Sequence, residues 1–399
     1  QANICSQAKD PEVSSPYETY YEYREAAAKM PAHRILALNR GEREEFLKVT
    51  VEVPQEEMIL KIQQLVGGLI PPYLGAAIAD GCQRLLFPAM ERELHSTLTQ
   101  KAQEQAIEVF AGNLKQLLLT PPVKGKTVLG IDPGYRTGCK IAVADPTGKV
   151  LATATSYFTP PKRDYEGGKQ LLLELYRTYQ PDVVAIGNGT ASRETEEFIA
   201  QVIAEENLSL AYTIVSEAGA SVYSASELAR EEFPELDLTL RGAISIGRRL
   251  QDPLAELVKV PPQSIGVGQY QHDVDQKRLS QTLAAVVEDT VNAVGVDLNT
   301  ASSALLSYVA GISTRVAANI VAYRNENGPF QSRKELKKVP KLGPATFTQC
   351  AGFLRIPGGE NPLDNTAVHP ESYKLAQKIV PYLEENLSTS QLKKLSEEL

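Results

Sequence analysis

The sequence predicts a multidomain, mainly α-helical protein with one α/β domain set in its middle. Three observations carry that expectation. Long helix-period stretches flank a central run in which three strand-like segments are followed by alternating helix and strand patterns. A helix-turn-helix pattern at residues 305–317 recurs at 336–347. With 399 residues, 43% hydrophobic and 23% charged, the chain has room for two to four domains with real cores.

Composition narrows the function classes. Cys5, Cys82, Cys139 and Cys350 are scattered without a Cys-x-x-Cys pair, so neither a zinc knuckle nor a disulfide framework is signalled, and reduced thiols in a cytoplasm are expected. No apolar stretch reaches the length of a membrane span, and the polar, proline-broken start is no signal peptide. The chain opens at Gln1 rather than at methionine, which reads as a piece of a longer protein. The formal charge of -8 argues against uniform coating of nucleic acid. From Ser302 to Ile356, however, eight bases face only Glu326 and Glu335, a local +6 that points to an anionic partner for this segment.

In chain order, residues 1–15 read as a disordered lead-in, and 16–122 as a helical scaffold with a β-hairpin. Tyr17 to Met30 favours a helix with an aromatic face. Arg34–Leu38 and Phe46–Val53 read as two strands joined at Asn39-Arg40-Gly41-Glu42. Helices are expected from Glu56 to Leu119, interrupted at Gly67-Gly68 and Pro71-Pro72. Thr120-Pro121-Pro122 marks a boundary.

Beyond it, Thr127–Asp132 and Ile141–Ala144 form a hairpin that holds Asp132 at its open end. A strand at Val150–Tyr157, helix at Tyr165–Tyr179, strand at Asp182–Gly187, helix at Ser192–Glu205 and strand at Tyr212–Ser216 complete a mixed sheet covered on both faces. Functional groups gather at the carboxyl ends of such strands, where Asp132, Asn188 and Glu217 stand. A carboxylate there suits a divalent metal only if other acids fold in beside it, and otherwise bonds its own loop. Asp252, before Pro253, is either a further acid of that site or the cap of a new helix.

A linker loop and helix are expected over 256–300, the paired turns over 301–356, and a helical segment over 357–399. Leu305–Ala317 places Gly311, Ser313 and Arg315 about a tight turn between helices. Leu336–Phe347 repeats the pattern with Lys337, Lys338, Lys341 and Gly343. Such turns offer backbone N–H groups to a phosphate, and glycine lets it come close; contacts of this kind position a strand without reading its sequence.

These strings resemble the bacterial Tex family of transcription accessory factors, from His33-Arg34-Ile35-Leu36-Ala37-Leu38 through Ile131-Asp132-Pro133-Gly134-Tyr135-Arg136-Thr137-Gly138, Gly187-Asn188-Gly189-Thr190-Ala191-Ser192-Arg193 and Ser216-Glu217-Ala218-Gly219-Ala220-Ser221 to Asn361-Pro362-Leu363-Asp364. The resemblance implies a YqgF-type, RNase H-like domain over 125–255 and tandem helix-hairpin-helix motifs near 301–356, within helical scaffold. The family's N-terminal helix-turn-helix-like region and its C-terminal OB-fold are not visible in this sequence.

Carried over to this chain, the resemblance to RNase H-like nucleases places Asp132, Glu217 and Asp252 as candidate catalytic acids and metal ligands, for magnesium or manganese. Asn188 and Thr190 depart from it, being weak ligands where many relatives carry an acid or an activating group. The expected Gly-x-Gly of each hairpin keeps one glycine, with Ser313 and Lys341 at the other positions. The expectation is a cytoplasmic transcription accessory protein that binds RNA or DNA without sequence preference, possesses an inactive nuclease-like domain, touches the transcription machinery and has no membrane role. The competing expectation is a metal-dependent nuclease of the Holliday-junction-resolvase type.

Overall fold

The computed structural model describes residues 2–67 and 71–383. The chain divides into two compact units, 1–113 with 266–282 and 114–265 with 283–399.

In the first unit, β1 (Asn3–Ala8) is the central strand of an antiparallel sheet, with β2 (Glu22–Ala26) on one side and β3 (Leu47–Glu52) on the other. Between β2 and β3 runs α1 (Ala32–Arg43), which buries Ile35, Leu36, Ala37, Leu38 and Gly41. The outward N–H groups of edge strand β3 are closed off by carboxylates, Val49 donating to Glu42 at 3.2 Å and Val51 to Glu91 at 3.1 Å. Two donors that another strand would need are thereby taken. Helices α2 (Gln55–Val66), α3 (Pro72–Gly81) and α4 (Phe87–Leu118) follow. Segment 266–282 is fastened to the unit through Asp273, 5% exposed and paired with both Arg40 and Arg43 of α1, and through Val267, whose carbonyl accepts from Asn113 at 2.8 Å.

Three expectations for this unit are corrected. Residues 3–8 are not a disordered lead-in, because Ile4 and Ser6 are buried and every residue of β1 has a cross-strand partner. Tyr17 to Met30 is not a helix: Glu18–Tyr20 and Ala27–Lys29 make short 3-10 turns, and between them the chain extends as β2 to pair with β1. Arg34–Leu38 is helical rather than a strand. The short apolar run Ile35–Leu38 suits either state, and Gly41, read as a turn residue, lies inside α1 against Leu47, where a Cβ would come within 2.6 Å of that side chain.

The second unit opens with a five-stranded sheet of order β6-β5-β4-β7-β8, made of β4 (Val128–Asp132), β5 (Cys139–Ala144), β6 (Val150–Ser156), β7 (Val183–Gly187) and β8 (Ala211–Val215). β5 is antiparallel to β4 and β6, whereas β4, β7 and β8 run parallel. Alternation along β4 sorts the two faces. Leu129 and Ile131 pack with Leu172 and Leu175 of α5 (Tyr165–Tyr179) and with Phe198, Ile199 and Val202 of α6 (Ser192–Glu206). Val128 joins Ala185 and Ile246 on the opposite face, against α9 (Leu238–Gln251), which is reached through the short α7 (Ala220–Ala225) and α8 (Glu227–Glu232). Gly130 lets α9 approach: a Cβ there would meet the backbone nitrogen of Gly247 at 2.8 Å. After α9 come α10 (Pro253–Leu257) and α11 (Gln276–Val294).

The remaining segment is stitched by two-residue strands, β9 (Val296–Asp297) pairing in parallel with β10 (Leu354–Arg355). Between them lie α12 (Ser303–Leu306), α13 (Thr314–Asn327), a 3-10 turn at Arg333–Lys338 and α14 (Pro344–Cys350). Arg333 is 1% exposed and donates to the carbonyls of Leu354, Thr366 and Val368 and to the Tyr373 hydroxyl. It thereby fixes the path into α15 (Tyr373–Leu383). The helix expected to run on to Leu399 lies, beyond 383, outside the described residues.

Candidate nucleic-acid interface and nuclease-like edge

Parallel β4, β7 and β8 bring their carboxyl ends to one edge of the sheet, as the strand-end acids require. Asp132 closes β4 opposite Lys140 of β5. At the end of β8, the backbone N–H of Glu217 donates to Asn188 Oδ1 at 3.0 Å, so the neutral side chain after β7 braces the acid-bearing loop. Glycines make room for both carboxylates. Gly242 of α9 abuts Asp132 Oδ2, Gly189 abuts Glu217 Oε1, and a Cβ on Gly187 would stand 2.9 Å from Glu217 Oε2. Burial, then the Glu217 charge, pushes the Asp132 carboxyl up to about 6, partly offset by Lys140 and Arg249.

Asp252 is not part of this edge. Helix α9 runs from Gly242 beside Asp132, past Gly247 beside Gly130, to Gln251, which donates to the carbonyls of Lys126 and Asp145 at the opposite end of the sheet. Ten helical residues from Gly242 to Asp252 span about 15 Å. There Asp252 caps α10, its carboxylate accepting from the Ala255 N–H at 3.0 Å.

In place of a third acid, α9 contributes Arg249, 2% exposed, donating to the carbonyls of Ser216 at 2.9 Å and Ala218 at 2.7 Å. Its guanidinium interacts electrostatically first with Glu256, then with Glu217 and Asp132. The residues present therefore do not fit a pair of divalent ions: among the described residues Asp132 and Glu217 are the acids brought together, Glu194 is held on the Tyr135 hydroxyl, and the buried Lys140 and Arg249 supply counter-charge. Among the described residues no three His, Cys, Asp or Glu side chains converge as a metal site.

The duplicated turns are matched in backbone detail. In Val309-Ala310-Gly311-Ile312-Ser313 the Ile312 N–H donates to the Val309 carbonyl at 3.0 Å, and in Val339-Pro340-Lys341-Leu342-Gly343 the Leu342 N–H donates to that of Val339 at 3.2 Å. Gly311 has φ +79° and Lys341 +66°. Val309, Ile312, Val339 and Leu342 are buried, which anchors each hairpin, while Gly311, Ser313, Arg315, Lys337, Lys338, Lys341 and Gly343 are exposed. Ser313 caps α13 by accepting from the Val316 N–H at 3.4 Å. Gly343 stands at the start of α14 with Pro344 as its first residue. Lys337 Nζ lies 4.7 Å from the centre of the Phe347 ring, and Lys338 pairs with Glu335 at 3.3 Å. The second motif departs from its sequence expectation in one respect, entering its hairpin from a 3-10 turn rather than an α-helix.

The local charge that singled out this segment is partly consumed inside it. Arg324 donates to the carbonyls of Leu298 and Ala301, Arg333 is buried, and Arg355 donates to the Gly352 carbonyl. Arg315, Lys334, Lys337, Lys338 and Lys341 remain exposed. Two asparagines that the sequence reading passed over hold the hairpins in place. Asn292 accepts from the Ala310 N–H at 3.0 Å and donates to the Tyr308 carbonyl at 3.1 Å, and Asn319 donates to the Pro340 carbonyl at 2.8 Å. Their only sequence signal is a polar residue facing a turn from a neighbouring helix.

Comparison with known proteins agrees with this arrangement. Residues 3–110 match the Tex central region-like model, 126–251 the Tex protein YqgF-like domain, 291–355 a helix-hairpin-helix motif and 361–399 an HHH domain. Relatives include the uncharacterized protein YdcI of Bacillus subtilis, 51% identical over 98% of this chain and 55% of that protein. Protein tex of Bordetella pertussis is 51% identical over 91% of this chain and 48% of its own length, and transcriptional accessory protein Tex of Neisseria gonorrhoeae is 48% identical over 91% and 49%. The chain spans about half the length of these relatives.

Proposed function

The chain belongs to the Tex family, and from that premise we propose that it is a nucleic-acid-binding scaffold of transcription. It holds RNA or DNA by the phosphates, without sequence preference, through the two hairpins of residues 301–356. The single observation that supports this reading best is the matched pair of hairpins, each with a left-handed residue at its tip and a new helix directly after, set among five exposed bases. Domain 125–255 serves in this reading as a nuclease-like body that does not cut, since two carboxylates with an arginine beside them lack the means to hold both metal ions of a phosphodiesterase. The transcription machinery is the proposed protein partner and the cytoplasm the proposed location; no described helix is long and apolar enough to cross a membrane.

Filter binding of labelled oligonucleotides over a salt series tests the reading. Reversing Lys337, Lys338 and Lys341 to glutamate is expected to weaken binding alike for all sequences and, on duplex DNA, to flatten the slope of log affinity against log salt by about 2–3. Unchanged affinity and slope would refute the hairpin site. Incubation with magnesium or manganese is expected to leave the strands whole. Cleavage abolished by Asp132→Asn would restore the nuclease reading.

A further inference from the structure

We infer that the carboxyl edge of the central sheet carries a second nucleic-acid contact, specific for single strands, formed by Tyr135, Arg136, Lys162 and Arg163. The inference rests on the proposed function only for the class of ligand; its residues lie outside both hairpins.

The four residues occupy two loops that the structure joins into one surface. Tyr135 and Arg136 follow β4, and Lys162 and Arg163 follow β6, whose carboxyl end lies at the same edge of the sheet as that of β4. The Thr159 hydroxyl donates to the Gly134 carbonyl at 2.7 Å, and Tyr157 lies against Gly138, where a Cβ would meet its ring at 2.8 Å. Lys162 Nζ sits 3.7 Å above the centre of that same Tyr157 ring.

Arg136, Lys162 and Arg163 are all exposed, and among the described residues none of them enters an ion pair. The nearby acids are otherwise engaged: Asp164 caps α5 by accepting from the Gly167 N–H, and Glu194 accepts from the Tyr135 hydroxyl at 2.7 Å.

Two features mark this surface as more than a solvated face. Tyr135 is anchored by its hydroxyl yet 36% exposed, a ring held in place with apolar area in water. Arg163 adopts φ +52°, a conformation that glycine takes without strain and an arginine does not. Its backbone N–H donates to the Thr159 carbonyl at 3.1 Å, while its exposed side chain enters no ion pair among the described residues.

Across the edge the charge is polarised. The cations sit on the loops after β4 and β6, Asp132 marks the middle strand, the Glu217 carboxylate stands over Gly187 of β7, and Glu194 is held on the Tyr135 hydroxyl. A strand whose phosphates meet Arg136, Lys162 and Arg163 therefore passes on the side away from Glu217. A base stacks on Tyr135 only if it is unpaired, which is why the ligand is a single strand.

The test is fluorescence anisotropy with fluorescein-labelled 20-nucleotide oligo(dT), oligo(U) and a duplex of equal length, on the full chain. The triple variant R136E/K162E/R163E is expected to bind both single strands about tenfold or more weakly, with a salt slope shallower by about 2, and to change the duplex less. Tyr135→Ala is expected to weaken single-strand binding about fivefold or more, and Tyr135→Phe, which keeps the ring but loses its hydroxyl anchor, to fall between Tyr135→Ala and the parent. Equal urea midpoints certify the fold. If the triple variant binds single strands within twofold of the parent while the lysine-reversed hairpin variant loses affinity, this inference falls and the hairpin reading stands. If neither variant loses affinity, both fall.

Discussion

Lys341 holds in the second hairpin the left-handed backbone that Gly311 holds in the first, at φ +66° against +79°. Glycine adopts that conformation without strain, whereas a side chain costs about 1 kcal/mol or more. Lys341 is exposed and its side chain enters no ion pair among the described residues, so the cost is offset by the hairpin backbone and its buried Val339 and Leu342, not by the lysine itself. Lys341→Gly is therefore expected to raise the stability of the second unit by about 1 kcal/mol in urea unfolding while weakening nucleic-acid binding. Lys341→Ala removes the same charge and keeps the strain, so it should lose affinity without gaining stability. If both variants gain equally, the conformational argument is wrong.

Asp132 links stability to pH. Its carboxyl is pushed up to about 6 from the ordinary 3.8, first by burial and then by Glu217. Between these values the folded protein keeps a proton that the unfolded chain has released, so this group favours folding below about pH 4 and loses that contribution as pH rises through 6. Asp132→Asn, which cannot ionise, should add up to roughly 3 kcal/mol of stability at pH 7.5 and close to nothing at pH 4. Urea midpoints across that pH range would show the gap between variant and parent opening through pH 5–6. A gap independent of pH would place its origin elsewhere.

Why some of this was readable before the structure, and some not, follows from the same residues. The strands of the central sheet were legible because β4, β5 and β7 are apolar runs of strand length and β6 and β8 are rich in Thr and branched residues, all bounded by turn residues, and parallel order then forces Asp132, Asn188 and Glu217 to one edge. Asp252 misled because the direction of α9 across the sheet is not written in local pattern. What fixes it is the close approach of Gly130 and Gly247, a tertiary fact. Arg249 went unnoticed for a related reason: Arg241, Ser245 and Arg249 recur at helical spacing like an exposed polar stripe, yet all three are buried. Counting bases likewise overstated the hairpin segment, since a buried Arg333 and an exposed Lys334 look alike in sequence.

The two glycines at the β4–α9 crossing should respond very differently to the same change. A Cβ on Gly130 would strike the α9 backbone, at Ala243 and at 2.8 Å from the Gly247 nitrogen, where no side chain can move aside. One on Gly247 would meet Gly130 at an ordinary 3.5 Å. Gly130→Ala is thus expected to cost roughly 3 kcal/mol or more. Gly247→Ala should be tolerated within about 1 kcal/mol, its helix propensity partly compensating any crowding. Thermal unfolding of the two variants side by side checks this, and equal midpoints would mean that α9 shifts freely over the sheet.

The charge of Arg333 counts toward the basic segment although its guanidinium is 1% exposed and closed to a nucleic-acid strand. Three carbonyls and the Tyr373 hydroxyl accept from its guanidinium, and its backbone N–H donates to Asp364 at 2.9 Å. Arg333→Met keeps the volume of the stem but leaves those acceptors buried and unpaired, a loss of roughly 2–5 kcal/mol. Arg333→Lys should rescue little, because a compact ammonium cannot reach acceptors spread over the planar fork. Both variants should show urea midpoints well below the parent. At temperatures where they remain folded, their oligonucleotide affinity and salt slope should match the parent, unlike those of the exposed-lysine variants. A flattened salt slope in folded Arg333→Met would instead make the buried guanidinium part of the phosphate-binding field.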